Sequence, residues 1–298
     1  MLAAKGQNTK EIMQSAYEAK VIVPGFNVPY LPMVSPIIQA LKDTNQFGLI
    51  QVARLEWIKF GAQSPAAVAE EYRKYASVQN TRLHMDHVPV IDEDGKHVDY
   101  MQVLREALDA GFESLMVDGS RLPLEENIKV TAEACELAHK HGLPLEAELG
   151  AVMGHESGPL PPYEELFNSG KGFTDIDQAK TFAEQTGVDW LSIAIGNIHG
   201  AITEVLKLQK KVAARLDIQR IKDINAALGI PLVLHGGSGI QSHYIQEAIK
   251  NGITKINIGT NIRQPYIKIM EETENIYKAQ RSVYEAVIDV MKNELGMI

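Results

Sequence analysis

The sequence contains one cysteine, Cys135, so the chain cannot form an internal disulfide. A chain that does without disulfides is typical of a reducing compartment, and we expect a cytoplasmic protein. Cys135 lies in a segment with helical periodicity, residues 131–140, and we predict that its thiol is buried.

The sequence also lacks an excess of positive charge. Its 29 Lys and Arg residues stand against 38 Asp and Glu residues, which gives a formal net charge of −9. Such a charge disfavours general binding to nucleic acid or anionic membranes, although a local basic pocket for a small phosphate is compatible with it. No apolar run approaches the ~18 residues that a membrane span needs. We therefore expect a small molecule as partner, with no nucleic acid and no membrane.

Linkers, low-complexity segments and composition shifts are missing as well. Hydrophobic residues make up 45% of the chain and charged residues 22%, which is typical of a globular protein with a sizeable core. The chain is longer than the ~100–200 residues of an ordinary domain, but barrels of roughly 250 residues fold as single units. We predict one domain over residues 1–298.

Short, β-branched apolar runs recur along the chain, and each is followed by a turn and a segment with helical periodicity. Near-continuous apolar strands joined by helices predict a parallel sheet whose outside is covered by helices. The number of such units favours an α/β (β/α)8 TIM barrel over an open, doubly wound sheet. A helical region beyond the last strand, 262–298, is predicted as an extension that could reach a neighbouring subunit. The eight predicted strands are 21–28, 48–53, 81–87, 114–119, 144–150, 189–196, 231–237 and 255–260.

Residues that can carry chemistry follow these strands at one end. In a (β/α)8 barrel, the C-terminal ends of the strands meet at one mouth, where active sites lie. Imidazoles from separate strands, together with carboxylates, suit a Zn²⁺ ion with an open coordination position. Each residue alone could have a structural role, but three histidines at the same end favour a metal site. The residues at this end are Asp86, His87, Asp118, Glu148, His199 and His235.

Two further residues lie near this predicted mouth. Glu146 shares one face of its strand with Glu148, so one carboxylate is expected to bind metal and the other to lie deeper in the barrel. His84 should face the same side as Asp86, and both a structural role and a role in supporting the metal ligands are open.

A glycine-rich turn follows His235 in the stretch PLVLHGGSGI, residues 231–240. Glycines leave backbone N–H groups uncovered, and a concave turn of such groups accepts phosphate oxygens. A tight turn also needs glycine, so this signal is weak by itself. A second candidate phosphate site, NIGT at residues 257–260, follows the last predicted strand. The loops after strands seven and eight are where barrel enzymes frequently hold phosphate, and the pair therefore predicts a phosphate site.

The motifs GFNV, HMDH, MVDGSRLPLEENI, EAELG, IGNIHG, LVLHGGSGI and KINIGT occur in this order over nearly the whole chain. In this the sequence resembles the class II, metal-dependent fructose-bisphosphate aldolase family, which includes the tagatose-bisphosphate aldolases. The resemblance implies a lyase of carbohydrate metabolism, such as glycolysis, that reversibly cleaves a ketose (bis)phosphate into dihydroxyacetone phosphate and an aldehyde. It also implies a homodimer or homotetramer.

The resemblance implies roles for individual residues. The catalytic Zn²⁺ would bind His87, His199 and His235, and a second divalent position would fall on Asp118 and Glu148; a monovalent cation is left open. Asp86 would handle the proton of the C4 hydroxyl, and Glu156 would exchange a proton with the nascent enediolate. Arg281, on the C-terminal helix of a partner subunit, would hold the distal phosphate. Phosphate and triose contacts would fall on Asn27, Gly200, Gly236, Gly237, Ser238, Asn257, Gly259 and Thr260.

No Schiff-base lysine is expected at a strand's C-terminal end, because Lys255 is predicted to begin its strand. The sequence departs from the family at Ala53, where a serine is usual, and continues with Arg54, Glu56 and Trp57. In addition, Gly259 stands where many members carry a side chain that contacts the sugar. These departures leave the metal and phosphate elements in place and change the aldehyde side.

Two alternatives to the aldolase are considered. A metal-dependent sugar-phosphate epimerase or isomerase could use the same barrel, because stabilising an enediolate serves both reactions. A catalytically silent phosphosugar-binding protein would need neither Asp86 nor Glu156, and the presence of both favours an enzyme.

Overall fold

The computed structural model describes residues 6–150, 163–197, 214–237 and 240–298. Within these ranges nine strands form one sheet, and every neighbouring pair that shares a ladder is parallel. The strands are β1 (Val23–Asn27), β2 (Gly48–Ala53), β3 (Thr81–Asp86), β4 (Val88–Pro89), β5 (Leu115–Asp118), β6 (Leu145–Leu149), β7 (Trp190–Ile193), β8 (Leu232–Leu234) and β9 (Ile253–Ile258).

The sheet closes into a barrel. Its order runs β3-β2-β1-β9-β8-β7-β6-β5-β4. The two ends meet where His84 of β3 forms a parallel bridge with Ser114, and the Met85 N–H donates to the Ser114 carbonyl at 3.0 Å. The predicted α/β TIM-barrel fold is therefore confirmed. The predicted number of strands is short by one, because β4 is a two-residue strand that follows β3 after His87.

Helices cover the outside of the barrel, as the apolar strands require. Their hydrophobic faces pack on the strands in one large core cluster, in which Cys135 is buried as predicted. None of the helices in the described ranges is long and apolar enough to span a membrane. The α-helices are Thr9–Ala19, Val34–Asp43, Arg54–Lys59, Pro65–Tyr75, Tyr100–Ala110, Leu124–Lys140, Tyr163–Ser169, Ile176–Thr186, Ile218–Leu228, Ser242–Lys250, Thr260–Thr273 and Ile276–Asp289.

The C-terminal helical region begins at Thr260 and ends in a π-helical turn, Val290–Glu294. It starts two positions earlier than predicted because β9 also lies earlier in the chain than the predicted strand 255–260. Ile253 already pairs with Leu232 of β8, so the prediction that Lys255 begins its strand is wrong. Lys255 is the third residue of β9, and its side chain is completely buried.

The N-terminal helix Thr9–Ala19 closes the bottom of the barrel. Its residues Ile12, Met13 and Ala16 form a separate hydrophobic cluster with residues near the beginning of the strands, Val23, Leu49, Trp190 and Val233 among them. Above this apolar layer, the inward-facing positions alternate along each strand and carry polar side chains. A lower polar layer and an upper one follow, with the residues Gln51, His84, Glu146 and Lys255 below and Asn27, Asp86, Glu148 and Asn257 above.

Candidate active site and metal centre

A cavity of about 580 Å³ opens at the C-terminal ends of the strands, where the chemistry of a barrel enzyme is expected. Its walls include the glycine turn after β8, the start of the helix Arg54–Lys59 and the first turn of the helix Thr260–Thr273. The predicted residues that the structure brings together in this cavity are Asn27, Asp86, His87, Asp118, Glu148, His235, Gly236, Gly237, Asn257, Gly259 and Thr260.

The rings of His87 and His235 lie side by side, with their centroids 4.4 Å apart. His87 adopts φ 33°, a left-handed conformation that residues with a Cβ rarely take. The conformation turns the chain between β3 and β4 and places the ring at the mouth of the barrel. Backbone strain of this kind is held in place by the surrounding structure and clusters at functional sites.

Carboxylates lie next to both rings. His87 Nδ1 is 3.3 Å from an Asp118 oxygen, and His235 Nδ1 is 2.8 Å from a Glu148 oxygen. Ligand atoms of His87, Asp118 and Glu148 lie within 4.8 Å of one another, and so do those of Asp86, His87 and His235. Mixed imidazole and carboxylate ligands suit Zn²⁺, Co²⁺ and Mn²⁺, so this donor set fits a divalent ion.

The charges in the mouth reinforce one another. Burial lowers the pKa of His87, but the charge of Asp86 and the hydrogen bond to Asp118 outweigh burial and raise that pKa to about 10. Conversely, burial raises the pKa of Asp118, but the hydrogen bond and charge of His87 outweigh it and hold the pKa below its usual range. The carboxylates therefore stabilise a positive charge at the mouth, which can be that of an imidazolium or of a metal ion.

A third group of candidate ligand atoms, from His84, Asp86 and Glu146, lies deeper in the barrel. The ammonium of Lys255 lies among these residues, 2.9 Å from Glu146 Oε2 and 3.9 Å from Asp86 Oδ1. The deeper carboxylate of Glu146 contacts this cation of the chain itself, whereas the carboxylates of Asp118 and Glu148 at the mouth contact the rings of His87 and His235. The metal is therefore expected at the mouth.

Asp86 is fixed by two amide groups in the upper polar layer. Asn27 Nδ2 donates to one carboxylate oxygen and Asn257 Nδ2 to the other, both at 2.9 Å. Burial raises the pKa of Asp86, but the charges of His87, Lys255 and His235 outweigh it and lower the pKa to about 2. Asp86 is therefore an ionised carboxylate that is held at the cavity wall beside both rings.

Glu56 lies close to Asp86 on the side of the cavity where the sequence departs from the family. It is the third residue of the helix Arg54–Lys59, and its carboxylate accepts a hydrogen bond from the Ala53 N–H at 2.8 Å. Asn27 Nδ2 lies 3.4 Å from the same oxygen. Burial raises the pKa of Glu56 to about 8 despite these hydrogen bonds. Near neutral pH its carboxyl group therefore carries a proton and can donate a hydrogen bond.

The turn after β8 brings the backbone of Gly236 and Gly237 to the cavity. Gly236 has φ 64°, which a residue without a Cβ adopts at no steric cost. A Cβ on Gly237 would lie 2.7 Å from the Ile256 side chain and 3.3 Å from the Asn257 carbonyl oxygen. Glycine is therefore needed at both positions for this turn, and its backbone is open to an anion.

Five predicted site residues are not among those that line this cavity. Glu156, His199, Gly200 and Ser238 fall outside the described residues. Arg281 is on the exposed face of the helix Ile276–Asp289, where its Nε lies 2.9 Å from Glu285 of the same helix. It does not line the cavity of its own chain.

Two residues with a place in the site were not predicted to act there. Lys255 was set aside because of the misplaced strand, although alternation from Asn257 would have given both residues the same face. Arg263 lines the cavity, with its guanidinium 4.8 Å from the centre of the Phe60 ring. Arg263 could have been predicted from its position, because it lies three residues after Thr260, on the first turn of the helix that follows the last strand.

Fold and site together define a (β/α)8-barrel protein with a histidine and carboxylate cluster at its mouth. The profile of the family described as Fructose-bisphosphate aldolase class-II matches residues 7–297. Among curated proteins, the fructose-bisphosphate aldolase of Streptococcus pneumoniae is 31% identical over 282 residues, 93% of this chain and 87% of the relative. A probable fructose-bisphosphate aldolase of Bacillus subtilis is 31% identical over 268 residues, 88% of this chain and 84% of the relative.

Solved structures of aldolases have a similar fold. The crystal structure of the YdjI aldolase from Escherichia coli K12 matches with a TM-score of 0.75 at 28% identity, over 97% of each chain. A Campylobacter jejuni fructose-bisphosphate aldolase, at 19% identity and a TM-score of 0.72, shows the same fold over 97% of this chain and 94% of that one.

The chain belongs to the class II fructose-bisphosphate aldolase family. It is an aldolase, a lyase that cleaves a carbon–carbon bond, and its family is metal-dependent. The expectation drawn from the ordered motifs is thereby confirmed.

Proposed function

We propose that the enzyme reversibly cleaves a ketose phosphate or bisphosphate and releases dihydroxyacetone phosphate and an aldehyde. The observation that carries this proposal is the position of Asp86, which is held by two amides beside the His87 and His235 rings in one cavity. A base at this place can take the proton of the hydroxyl group next to the bond that breaks. In the reverse reaction it would return that proton to the aldehyde oxygen.

We propose zinc as the metal, bound by His87, His199 and His235. When bound, the ion supplies Lewis-acid polarisation of the ketose carbonyl. Glu148 and Asp118 next to the rings would offer a second divalent position, and their oxygens lie 2.8 and 3.3 Å from the ring nitrogens. Glu156 is the proposed second proton carrier, on the dihydroxyacetone phosphate side.

The phosphate of the dihydroxyacetone half is proposed to bind the glycine turn after β8. The constrained backbone of Gly236 and Gly237 supports this, since its N–H groups are uncovered by side chains. The other proposed contacts to phosphate and triose are Asn27, Gly200, Ser238, Asn257, Gly259 and Thr260.

The aldehyde half is proposed to lie against Glu56, Phe60 and Arg263, which line the other side of the same cavity. The carboxyl group of Glu56 and the guanidinium of Arg263 offer both hydrogen-bond donors and acceptors to hydroxyl groups. We therefore expect a hydroxylated aldehyde. A wall of this composition differs from the serine-bearing stretch that is usual in the family, so the aldehyde need not be glyceraldehyde 3-phosphate.

Four further properties are part of the proposal. We infer a single catalytic domain over residues 1–298, with 262–298 as its C-terminal extension, and a homodimer or homotetramer in which Arg281 of one subunit reaches the distal phosphate in another. The 81% exposure of the Arg281 side chain leaves it available for such a contact. A reducing, cytoplasmic setting and a role in carbohydrate breakdown are also proposed.

The test is cleavage of a panel of ketose monophosphates and bisphosphates, followed by enzymatic detection of dihydroxyacetone phosphate. We expect activity to disappear when the metal is removed by a chelator and to return when Zn²⁺ is added. Added dihydroxyacetone phosphate, measured in the same chelator, controls for the detection enzyme. Cleavage that persists after elemental analysis shows the metal is gone would contradict the proposed chemistry.

A further inference from the structure

A continuous run of hydrogen bonds passes through the barrel interior from His235 to Asp86. His235 Nε2 is 2.8 Å from Glu146 Oε1, and Lys255 Nζ is 2.9 Å from Glu146 Oε2. Lys255 Nζ then donates to Asn257 Oδ1 at 2.7 Å, and Asn257 Nδ2 donates to Asp86 Oδ1 at 2.9 Å. The run joins the residue proposed to bind metal to the residue proposed to move the proton.

Lys255 is the member of this run that can only donate, and it lies between two carboxylates that only accept. An ammonium has three donors and no acceptor, so any group that contacts it must present an oxygen. Asn257 must therefore turn its carbonyl oxygen to Lys255 and its NH₂ group to Asp86. Without the ammonium, the buried Asn257 oxygen would lose this donor, and the amide would be held at one end only, by the Asp86 carboxylate.

On the other side, Lys255 keeps Glu146 as an acceptor. Glu146 is completely buried, and groups that can only donate lie against both of its oxygens. Lys255 Nζ is 3.2 Å from Oε1 and 2.9 Å from Oε2, and Trp190 Nε1 donates to Oε2 at 2.6 Å. As an acceptor, Glu146 holds a proton on His235 Nε2. The Nδ1 atom lies 2.8 Å from Glu148 at the mouth of the barrel, where a divalent ion would replace the proton that this contact requires.

We propose that Lys255 is a positioning residue that orients both ends of the reaction machinery, His235 through Glu146 and Asp86 through Asn257. Lys255 itself does not line the cavity and has no exposed surface, so it does not contact the substrate. The inference rests on the proposed function for the roles of His235 and Asp86, whereas the contacts made by Lys255 do not depend on it.

The experiment that tests this role compares wild type with Lys255→Met. This substitution keeps the approximate length of the side chain and removes its hydrogen-bond donors. Metal-free protein is titrated with Zn²⁺ against a chromogenic chelator, and kcat and KM are measured on the preferred substrate. We expect a 10–100-fold loss of zinc affinity, as for other partners of metal ligands, and a fall in kcat of at least about 10-fold with a smaller change in KM. Lys250→Met, on the surface, is the matched control and should change neither quantity.

A second measurement needs no variant. In ¹⁵N-histidine-labelled wild type loaded with Zn²⁺, long-range ¹H–¹⁵N spectra report which ring nitrogen of His235 carries a proton. We expect the proton on Nε2 and the metal on Nδ1, and Glu146→Gln should weaken this preference. Metal on Nε2, or a folded Lys255→Met variant with unchanged zinc affinity and kcat, would overturn the role of Lys255. Because the zinc titration and the spectra use no substrate, a wild type without aldolase activity would contradict the proposed function alone.

Discussion

Glu56 and Asp86 share one hydrogen-bond donor, the side-chain amide of Asn27. The Asn27 Nδ2 atom is 2.9 Å from Asp86 and 3.4 Å from Glu56. The amide can do this because its oxygen is already occupied by Gln51 Nε2 at 2.8 Å. Both carboxyl groups are buried. Near neutral pH Asp86 is ionised and Glu56 is protonated, because the pKa of Asp86 is about 2 and that of Glu56 is about 8.

The raised pKa of Glu56 predicts a pH-dependent stability. The folded protein binds the Glu56 proton more tightly than the unfolded chain does, so this stabilisation is complete below pH 4.5 and is lost as the pH rises through about 8. Glu56→Gln mimics the protonated form and should remove this part of the pH dependence, on the order of a few kcal/mol. Denaturant unfolding of both proteins between pH 5 and about 9 measures the difference. Parallel curves for the two proteins would show that Glu56 does not titrate in this window.

Asp86 is predicted to act in proton transfer and not in metal binding. Asp86→Ala should lower kcat by ~10²-fold or more, because general acid–base catalysis contributes this much. Metal content, measured by elemental analysis, should stay at the wild-type level. Unchanged turnover in the Asp86→Ala variant would remove this residue from the proposed role, and loss of the metal would assign it to the ligands instead.

His235 is predicted to bind the metal, and its removal should therefore empty the site. We expect His235→Ala to contain little or no zinc after dialysis and to lack activity, since the remaining ligands leave the ion weakly held. His243→Ala is the matched control, because His243 is an exposed residue of the helix Ser242–Lys250. Full metal occupancy in His235→Ala would refute the assignment.

The glycine turn after β8 is predicted to bind the substrate phosphate. Gly237→Ala would place a Cβ 2.7 Å from the buried Ile256 side chain and 3.3 Å from the Asn257 carbonyl oxygen. Either that side chain or the turn must shift, and we expect the N–H groups of the turn to lose their alignment. We expect KM to rise at least several-fold and inorganic phosphate to inhibit less strongly, with a smaller effect on zinc content. Gly142→Ala tests for a general effect of such a substitution, since Gly142 has a positive φ but open space around it. An unchanged KM in Gly237→Ala would place the phosphate elsewhere.

Much of the fold could be predicted because the strands are nearly continuous apolar runs. β2 coincides with the predicted strand 48–53, which begins at Gly48 and ends at Ala53, directly before the helix Arg54–Lys59. β9 was misplaced by two residues because its first residues, Ile253 and Thr254, follow directly on Gly252 and resemble the end of a turn. As a result, the sequence analysis predicts Lys255 at the beginning of the strand and gives it no part in the site.

Part of the site could likewise be predicted from the sequence. The sequence predicts neighbours from the strand ends, because parallel strands bring their C-terminal ends to one rim. Those that the structure describes and places in the cavity are Asp86, His87, Asp118, Glu148 and His235. The deeper carboxylate expected of the pair Glu146 and Glu148 is Glu146, which is completely buried.

The sequence by itself determined the barrel, the family and the residues at its mouth, because alternation along a strand and strand order in a parallel sheet are properties of the chain. Only the tertiary structure decided which polar groups meet inside the barrel. Lys255 contacts Glu146 because β6 and β9 line the same closed interior, and Glu56 reaches Asn27 because its helix begins at the end of β2, which pairs with β1. These contacts depend on distances between segments that are remote in the chain, and such distances are fixed only once the sheet has closed.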